Sequence, residues 1–260
     1  MVKHSALTIV PIHFPTVRAG DELADLILNG VRRERLRLRS GDIVAVASKI
    51  VSTCEARYVK LEATHVTRAA KHLAARWRID ERLAAIVTSE ADRVVGGVNG
   101  FLLTIKNGFL VPNAGVDLKN SPPGTAMLWP RDPDRSAREL RRILERRYNN
   151  EIGVEIIDSH VTPLRLGTVG LAIGVSGFVP VLDHRGLRDI FGRRIRVTQA
   201  NVADDVASAA HLLMGENAER IGAVLVRGVA VSPNARANGE SARLSLGRCL
   251  VGNNLKNAQP

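Results

Sequence analysis

Cysteine, aromatic residues and long apolar runs are all scarce in this chain. Its two cysteines, Cys54 and Cys249, stand far apart among 260 residues with no close Cys or His spacing, which excludes a disulfide framework or a zinc motif. Aromatic residues make up 3 %, and none is interleaved among the arginines from Arg138 to Arg147 as base stacking would need. The apolar run Ile43 to Ala47 breaks off far short of the ~20 residues that span a bilayer. Met1 to Val10 lacks the basic stretch and long apolar run of a signal peptide, so the expected compartment is the cytoplasm. Gly-x-x-x-x-Gly-Lys-Ser/Thr, Gly-x-Gly-x-x-Gly after a strand, Gly-x-Ser-x-Gly and His-Glu-x-x-His are also missing, which removes the common nucleotide, serine-hydrolase and zinc-protease signatures.

What is present suits a globular protein. Apolar residues are 45 % and charged residues 24 %, enough for a core in one large or two modest domains. The 37 Lys and Arg against 26 Asp and Glu leave +11, a balance open to nucleic acid, to anionic small molecules such as phosphates, or to a merely arginine-rich surface. Helical and strand signals alternate without repeats, which predicts α+β or α/β architecture.

The spacing of Leu23, Leu26 and Ile27 predicts a helix over 21–29 with Gly30 as its left-handed cap. Ile43 to Ala47 reads as a buried strand with Ser48 and Lys49 at its exit, and Glu62 to Trp77 as a helix. Asn107-Gly108 predicts a hairpin between Phe101 to Ile105 and Phe109 to Val111. Ser136 and Glu139 have capping-box spacing ahead of Leu140, Ile143 and Leu144, and Arg138, Arg141, Arg142, Arg146 and Arg147 occupy the helix's other, solvated faces. A strand over Gly153 to Ile157 delivers Asp158 and Ser159 at its end, and Gly167 to Gly177 forms one or two buried strands. A last helix covers Asn201 to Met214 and a last strand Ala223 to Val226. Periodicity weakens after Val231, which divides the chain into a module over 1–231, of one or two subdomains, and a poorly defined tail over 232–260.

Acidic residues at element ends are the candidates for chemistry. Asp117, Asp158 and Glu216 each sit where a carboxylate is exposed yet held by its neighbours, and such hard oxygens suit Mg²⁺ or Mn²⁺. The ordinary alternative for each is a turn or helix cap. His160 stands beside Asp158 and Ser159, but a lone histidine is more often a surface or hydrogen-bonded residue than a ligand.

A series of short strings adds to this. Ser48-Lys49-Ile50-Val51-Ser52, Asn113-Ala114-Gly115-Val116-Asp117 with Asn120, Asp132 to Ala137, and Asp158-Ser159 leading to Ala172-Ile173-Gly174-Val175 occur in order. Asp189 to Arg193, Ala203-Asp204-Asp205, Met214-Gly215-Glu216 and Arg227-Gly228 continue the series. From Val10 to Gly228 the chain thus resembles the coenzyme F420:L-glutamate ligase (γ-glutamyl ligase) family. The resemblance implies an α+β fold of mixed and antiparallel sheets with flanking helices, in an intertwined homodimer. It also implies GTP-dependent, divalent-metal-dependent addition of L-glutamate to the deazaflavin coenzyme precursor through an acyl phosphate.

Two Mg²⁺ or Mn²⁺ ions, GTP as co-substrate and a monovalent cation, K⁺, come with that resemblance. Carried over by position, Asp117 and Asp158 hold one metal, and Ser159 and Glu216 the other. Pro11, Ile12, His13, Phe14, Ser48, Lys49, Asn120 and the segment Met214, Gly215, Glu216, Asn217, Ala218, Glu219, Arg220 and Ile221 line the nucleotide site, with Lys49 and Arg165 as catalytic groups.

Two departures stand out. Thr53 replaces a second lysine of the family's Ser-Lys-x-x-Ser-Lys, and His160-Val161-Thr162-Pro163-Leu164-Arg165 replaces Phe-Gly-Arg-Pro-aromatic-Arg. Thr162 cannot grip a carboxylate or phosphate as arginine does, and Arg165 is either the residual anion contact or a surface ion pair. The alternatives are therefore a related ligase joining a different carboxylate and amine and, in another class, a basic nucleic-acid-binding protein.

Overall fold

Residues 6–254 are described by the computed structural model. In chain order the elements are β1 (Thr8–His13), α1 (Leu23–Arg33), β2 (Ile43–Ala47), α2 (Ser48–Cys54), β3 (Tyr58–Lys60), α3 (Arg68–Trp77), α4 (Glu81–Glu90), β4 (Arg93–Val98), β5 (Phe101–Lys106) and β6 (Phe109–Pro112). There follow β7 (Thr125–Met127), α5 (Pro133–Tyr148), β8 (Gly153–Val161), β9 (Thr168–Phe178), β10 (Val181–Asp183), β11 (Gln199–Asn201), α6 (Val202–Met214), β12 (Ile221–Arg227), β13 (Pro233–Asn238) and α7 (Leu250–Asn254). The architecture is mixed α+β, and among the described residues no helix is long and apolar enough to cross a membrane.

Two compact units share these elements. The first joins the chain up to Cys54 with Asp132–Ala242, and the second joins Glu55–Arg131 with the chain from Arg243 on.

The first unit is built on one six-stranded sheet in the order β1, β12, β2, β8, β9, β13. All neighbouring pairs are antiparallel except β2 and β8, which run parallel with Ala47 opposite Ile157. Alternation along the strands gives each face its own cover. Ile43, Ala45, Ile157, Val175, Val224 and Val226 form a core with Val206, Ala207 and Ala210 of α6. On the other face, a Cβ at Gly174 would lie 2.4 Å from the Pro133 carbonyl, so glycine there admits the start of α5.

In the second unit α3 and α4 cover β4, β5 and β6 through Ala70, Leu73, Ala84, Val87 and Leu102. The Asn107-Gly108 turn has the positive φ values, 49° and 79°, that the dipeptide predicts.

Several expectations are corrected by long-range packing. Gly30 is not a cap: α1 runs on to Arg33, and a Cβ at Gly30 would stand 2.4 Å from Ile12 Cγ2, so the glycine admits β1 against the helix. The α3 helix begins at Arg68 rather than Glu62, because the Thr67 side chain caps the Ala70 N–H. Asp132, with Pro133 after it, starts α5 in place of the Ser136 box. Arg141 is not solvated; it is buried, donating to Ser176 Oγ at 3.0 Å and to Glu145 Oε2 at 2.7 Å. Strand β8 extends to Val161 because β9 pairs with it throughout, so Asp158 and Ser159 lie inside the strand and not at its end.

Candidate functional site

The parallel pair β2 and β8 brings Ser48 beside Asp158. The Ser48 hydroxyl, buried where α2 begins, donates to Asp158 Oδ1 at 2.9 Å. Lys49 follows in the first turn of α2, and its carbonyl accepts a 2.8 Å bond from Thr53 Oγ1. Thr53 is itself buried, so the position where the family carries a lysine is occupied here by a packed hydroxyl.

Ser159, one residue beyond Asp158, points to the opposite face of the sheet. It is exposed and pairs with Gly170. A Cβ at Gly170 would meet the Ala207 carbonyl oxygen at 2.2 Å, so this glycine is what lets α6 approach; Ser208 Oγ then donates to the Gly170 carbonyl at 3.1 Å. At the far end of α6, Gly215 adopts φ 68° and turns the chain toward the start of β9. There Glu216 Oε1 accepts from Thr168 Oγ1 at 2.8 Å and lies 3.0 Å from His211 Nε2. Ser159 and Glu216 are thereby placed near one end of the β8–β9 hairpin.

The proposed nucleotide segments also meet within the first unit. Pro11 pairs with Val224, Ile12 with Ala223 and His13 with Ile221, and the Phe14 N–H donates to the Arg220 carbonyl at 2.9 Å. The Phe14 ring fills the space that a Cβ at Gly222 would occupy. Ile12 and Met214 are buried, so their side chains belong to the core. Asn217, Ala218 and Glu219 form an exposed loop in which Glu219 Oε2 accepts the Asn217 N–H at 2.8 Å. Arg165 is exposed on the turn after β8, its N–H bonded to the Thr162 carbonyl at 3.2 Å.

Asp117 and Asn120 belong to the second unit. Asp117 forms an isolated antiparallel bridge with Met127, and its Oδ1 accepts the Lys119 N–H at 2.8 Å. Asn120 is exposed at φ 58°.

Three titratable side chains of the first unit are withdrawn from water. Glu155, three residues before Asp158, is fully buried with neither carboxyl oxygen hydrogen-bonded. Burial pushes its pKa well above the usual carboxylate range, and the negative charge of Asp204 adds to the shift. Burial raises Asp204 as well, against the opposing Ala172 N–H. Burial holds His160 below the ordinary histidine range. Sequence reasoning passed over Glu155, Thr168 and His211. Glu155 carries one local signal, a charge interrupting an apolar strand, whereas the other two acquire meaning only through Glu216.

All four residues implied as metal ligands offer oxygen, which fits Mg²⁺ or Mn²⁺. Among the described residues no group of three or more His, Cys, Asp or Glu side chains gathers to hold an ion by itself. Phosphate oxygens of a nucleotide would therefore have to complete a coordination shell, the usual arrangement for Mg²⁺ at phosphoryl groups.

The F420-0:Gamma-glutamyl ligase family profile matches residues 11–228. A coenzyme F420:L-glutamate ligase of Methanopyrus kandleri is 43 % identical over 215 residues, covering 82 % of this chain and 83 % of that protein. The one from Archaeoglobus fulgidus is 38 % identical over 218 residues, 84 % of this chain and 86 % of the relative. That of Methanothermobacter thermautotrophicus is 37 % identical over 215 residues, 82 % and 85 %. With the profile spanning most of its length, the chain belongs to the F420-0:gamma-glutamyl ligase family.

Proposed function

We propose that this chain joins L-glutamate to the precursor of coenzyme F420 at the expense of GTP. A carboxylate is a poor electrophile, so the γ-phosphoryl group of GTP is first transferred to it, releasing GDP. The glutamate amine then attacks the acyl carbon, phosphate leaves with the C–O electron pair, and the amine gives up a proton to form the amide. Such chemistry rests on positioning and charge neutralisation, with no protein nucleophile.

The observation that carries the reading is the Ser48 hydroxyl bonded to Asp158 Oδ1, with Lys49 next in the chain, just past the last parallel pair of β2 and β8. Lys49 is assigned to the transferring phosphoryl group, and Arg165, on its exposed turn, to an anionic group of the acceptor. The segments Pro11 to Phe14 and Met214 to Ile221, with Ser48 and Asn120, are assigned to the nucleotide. Asp158, Ser159 and Glu216 in the first unit and Asp117 in the second are assigned as metal ligands. Bound Mg²⁺ or Mn²⁺ would neutralise phosphate charge during transfer; K⁺ belongs to the same assignment.

The reading includes a homodimer. Leu164 and Leu166 are fully exposed at the β8–β9 hairpin tip, and Ile190, Phe191 and Val197 project from the β10–β11 excursion. Apolar surface on this scale calls for a covering partner, and a second copy is the one assigned. Incubation with F420 precursor, glutamate, GTP and Mn²⁺ tests the activity by mass spectrometry: precursor gaining glutamyl residues supports it. With the His160 to Thr162 departure, no gain beside an active relative would redirect the search to another carboxylate and amine.

A further inference from the structure

The segment leading to Asp117 contains an unusual backbone. Asn113, Ala114 and Gly115 all have positive φ, 50°, 52° and 71°, making one left-handed turn. L residues visit this region singly, most often as Asn, and rarely in runs. Asn113 and Ala114 are moreover buried, so no solvent contact relieves the turn.

Two side chains hold it. Asn113 Oδ1 accepts the Leu102 N–H at 2.8 Å. Thr104, wholly buried in β5, accepts the Ala114 N–H at 2.8 Å and donates to the Val111 carbonyl at 2.6 Å. Its hydroxyl thus ties the middle of the turn to the hairpin. On the far side a Cβ at Gly115 would enter the Trp129 indole at 2.2 Å, so the turn is confined from both directions. Val116 leaves with extended φ −74°, and Asp117 follows, tied to Met127 through paired backbone bonds of 2.9 and 2.8 Å. Strained backbone of this kind persists only where its surroundings over-determine it, and it concentrates at binding sites.

We infer that Thr104 and Asn113 are positioning residues, whose hydrogen bonds fix the left-handed turn Asn113–Gly115 so that the Asp117 carboxylate is held in the orientation required to bind a divalent cation. This rests on the reading of Asp117 as a metal ligand. Neither residue touches the ion; each acts through the turn.

The test titrates Mn²⁺ in the presence of GDP, following free Mn²⁺ by electron paramagnetic resonance, alongside thermal unfolding. Thr104→Val keeps shape and removes both hydroxyl bonds; Thr104→Ser restores the hydroxyl; Asn113→Gly fits the positive φ but loses the Leu102 contact and serves should Thr104→Val fail to fold. Asp117→Asn is the ligand control. Thr104→Val and Asn113→Gly are expected to weaken Mn²⁺ binding about tenfold, the scale of losing an outer-shell partner, with Thr104→Ser near the parent. A lowered melting temperature with unchanged Mn²⁺ affinity in both Thr104→Val and Asn113→Gly, while Asp117→Asn has lost binding, overturns the inference alone. Unchanged binding in Asp117→Asn overturns the metal reading and this inference with it.

Discussion

The Ser48 hydroxyl donates to Asp158 Oδ1 at 2.9 Å, linking residues that stand 110 positions apart. The bond exists because β2 and β8 are parallel neighbours, so the residue after Ala47 stands beside the residue after Ile157. A carboxylate oriented in this way loses rotational freedom before any ligand arrives. Ser48→Ala is expected to lower glutamyl transfer about tenfold or more and to raise the Mn²⁺ concentration needed for half-maximal rate. Stability should fall by about 1 kcal/mol, the typical worth of one hydrogen bond. Steady-state rates over a Mn²⁺ series and a denaturant melt check both.

Glu155 sets a pH dependence of stability. Its folded pKa is raised by burial and by Asp204, from an ordinary value near 4.5. Below that value both folded and unfolded chains hold the proton. As pH climbs above it, the unfolded chain ionises while the folded one does not, and stability is lost until the folded pKa is reached. Glu155→Gln is therefore expected to be more stable than the parent at pH 8, read as a higher Tm. The advantage should vanish below pH 4.5. Equal stability of the two proteins at both pH values contradicts this.

Gly170 is expected to tolerate no side chain. Gly→Ala in a strand interior ordinarily gains stability. Here the new Cβ would lie 2.2 Å from the Ala207 carbonyl oxygen, forcing α6 away from the sheet. Urea unfolding of Gly170→Ala should show a loss of about 1–3 kcal/mol, the range for overpacking.

The exposed leucines test the assembly. Leu164→Asp with Leu166→Asp removes apolar surface from a hairpin tip where neither side chain has internal packing to lose. Light scattering is expected to give a dimer for the parent and a shift toward monomer for the double variant, with an unchanged melt under dilute conditions. A parent that is monomeric contradicts the assignment.

Much of the architecture was legible where local chemistry decides. Asn107-Gly108 predicts its hairpin because the turn itself demands positive φ, and Ile43 to Ala47 predicts a buried strand by its unbroken apolar run. Gly30 misleads because a glycine for close approach and a glycine for a cap look alike until Ile12 is seen against it. The length of β8 was hidden for a similar reason, since Leu171 and Gly170 are what extend it through Asp158 and Ser159. At the candidate site, single acidic residues were ambiguous between ligand and cap, and only the ordered strings pointed to one family. Glu216 with Thr168 and His211 was beyond local reading, because 48 positions separate the glutamate from the threonine that bonds it.

The most direct measurement follows glutamyl addition to the F420 precursor by mass spectrometry, with GTP, L-glutamate and Mn²⁺, for the parent chain and for Asp158→Ala. The proposed ligase predicts glutamylated product and stoichiometric GDP from the parent and at least a hundredfold less from Asp158→Ala, on the order of losing a transition-state charge contact. Product formed by Asp158→Ala at the parent's rate, or no product from the parent under conditions in which the Methanopyrus kandleri relative is active, would contradict it.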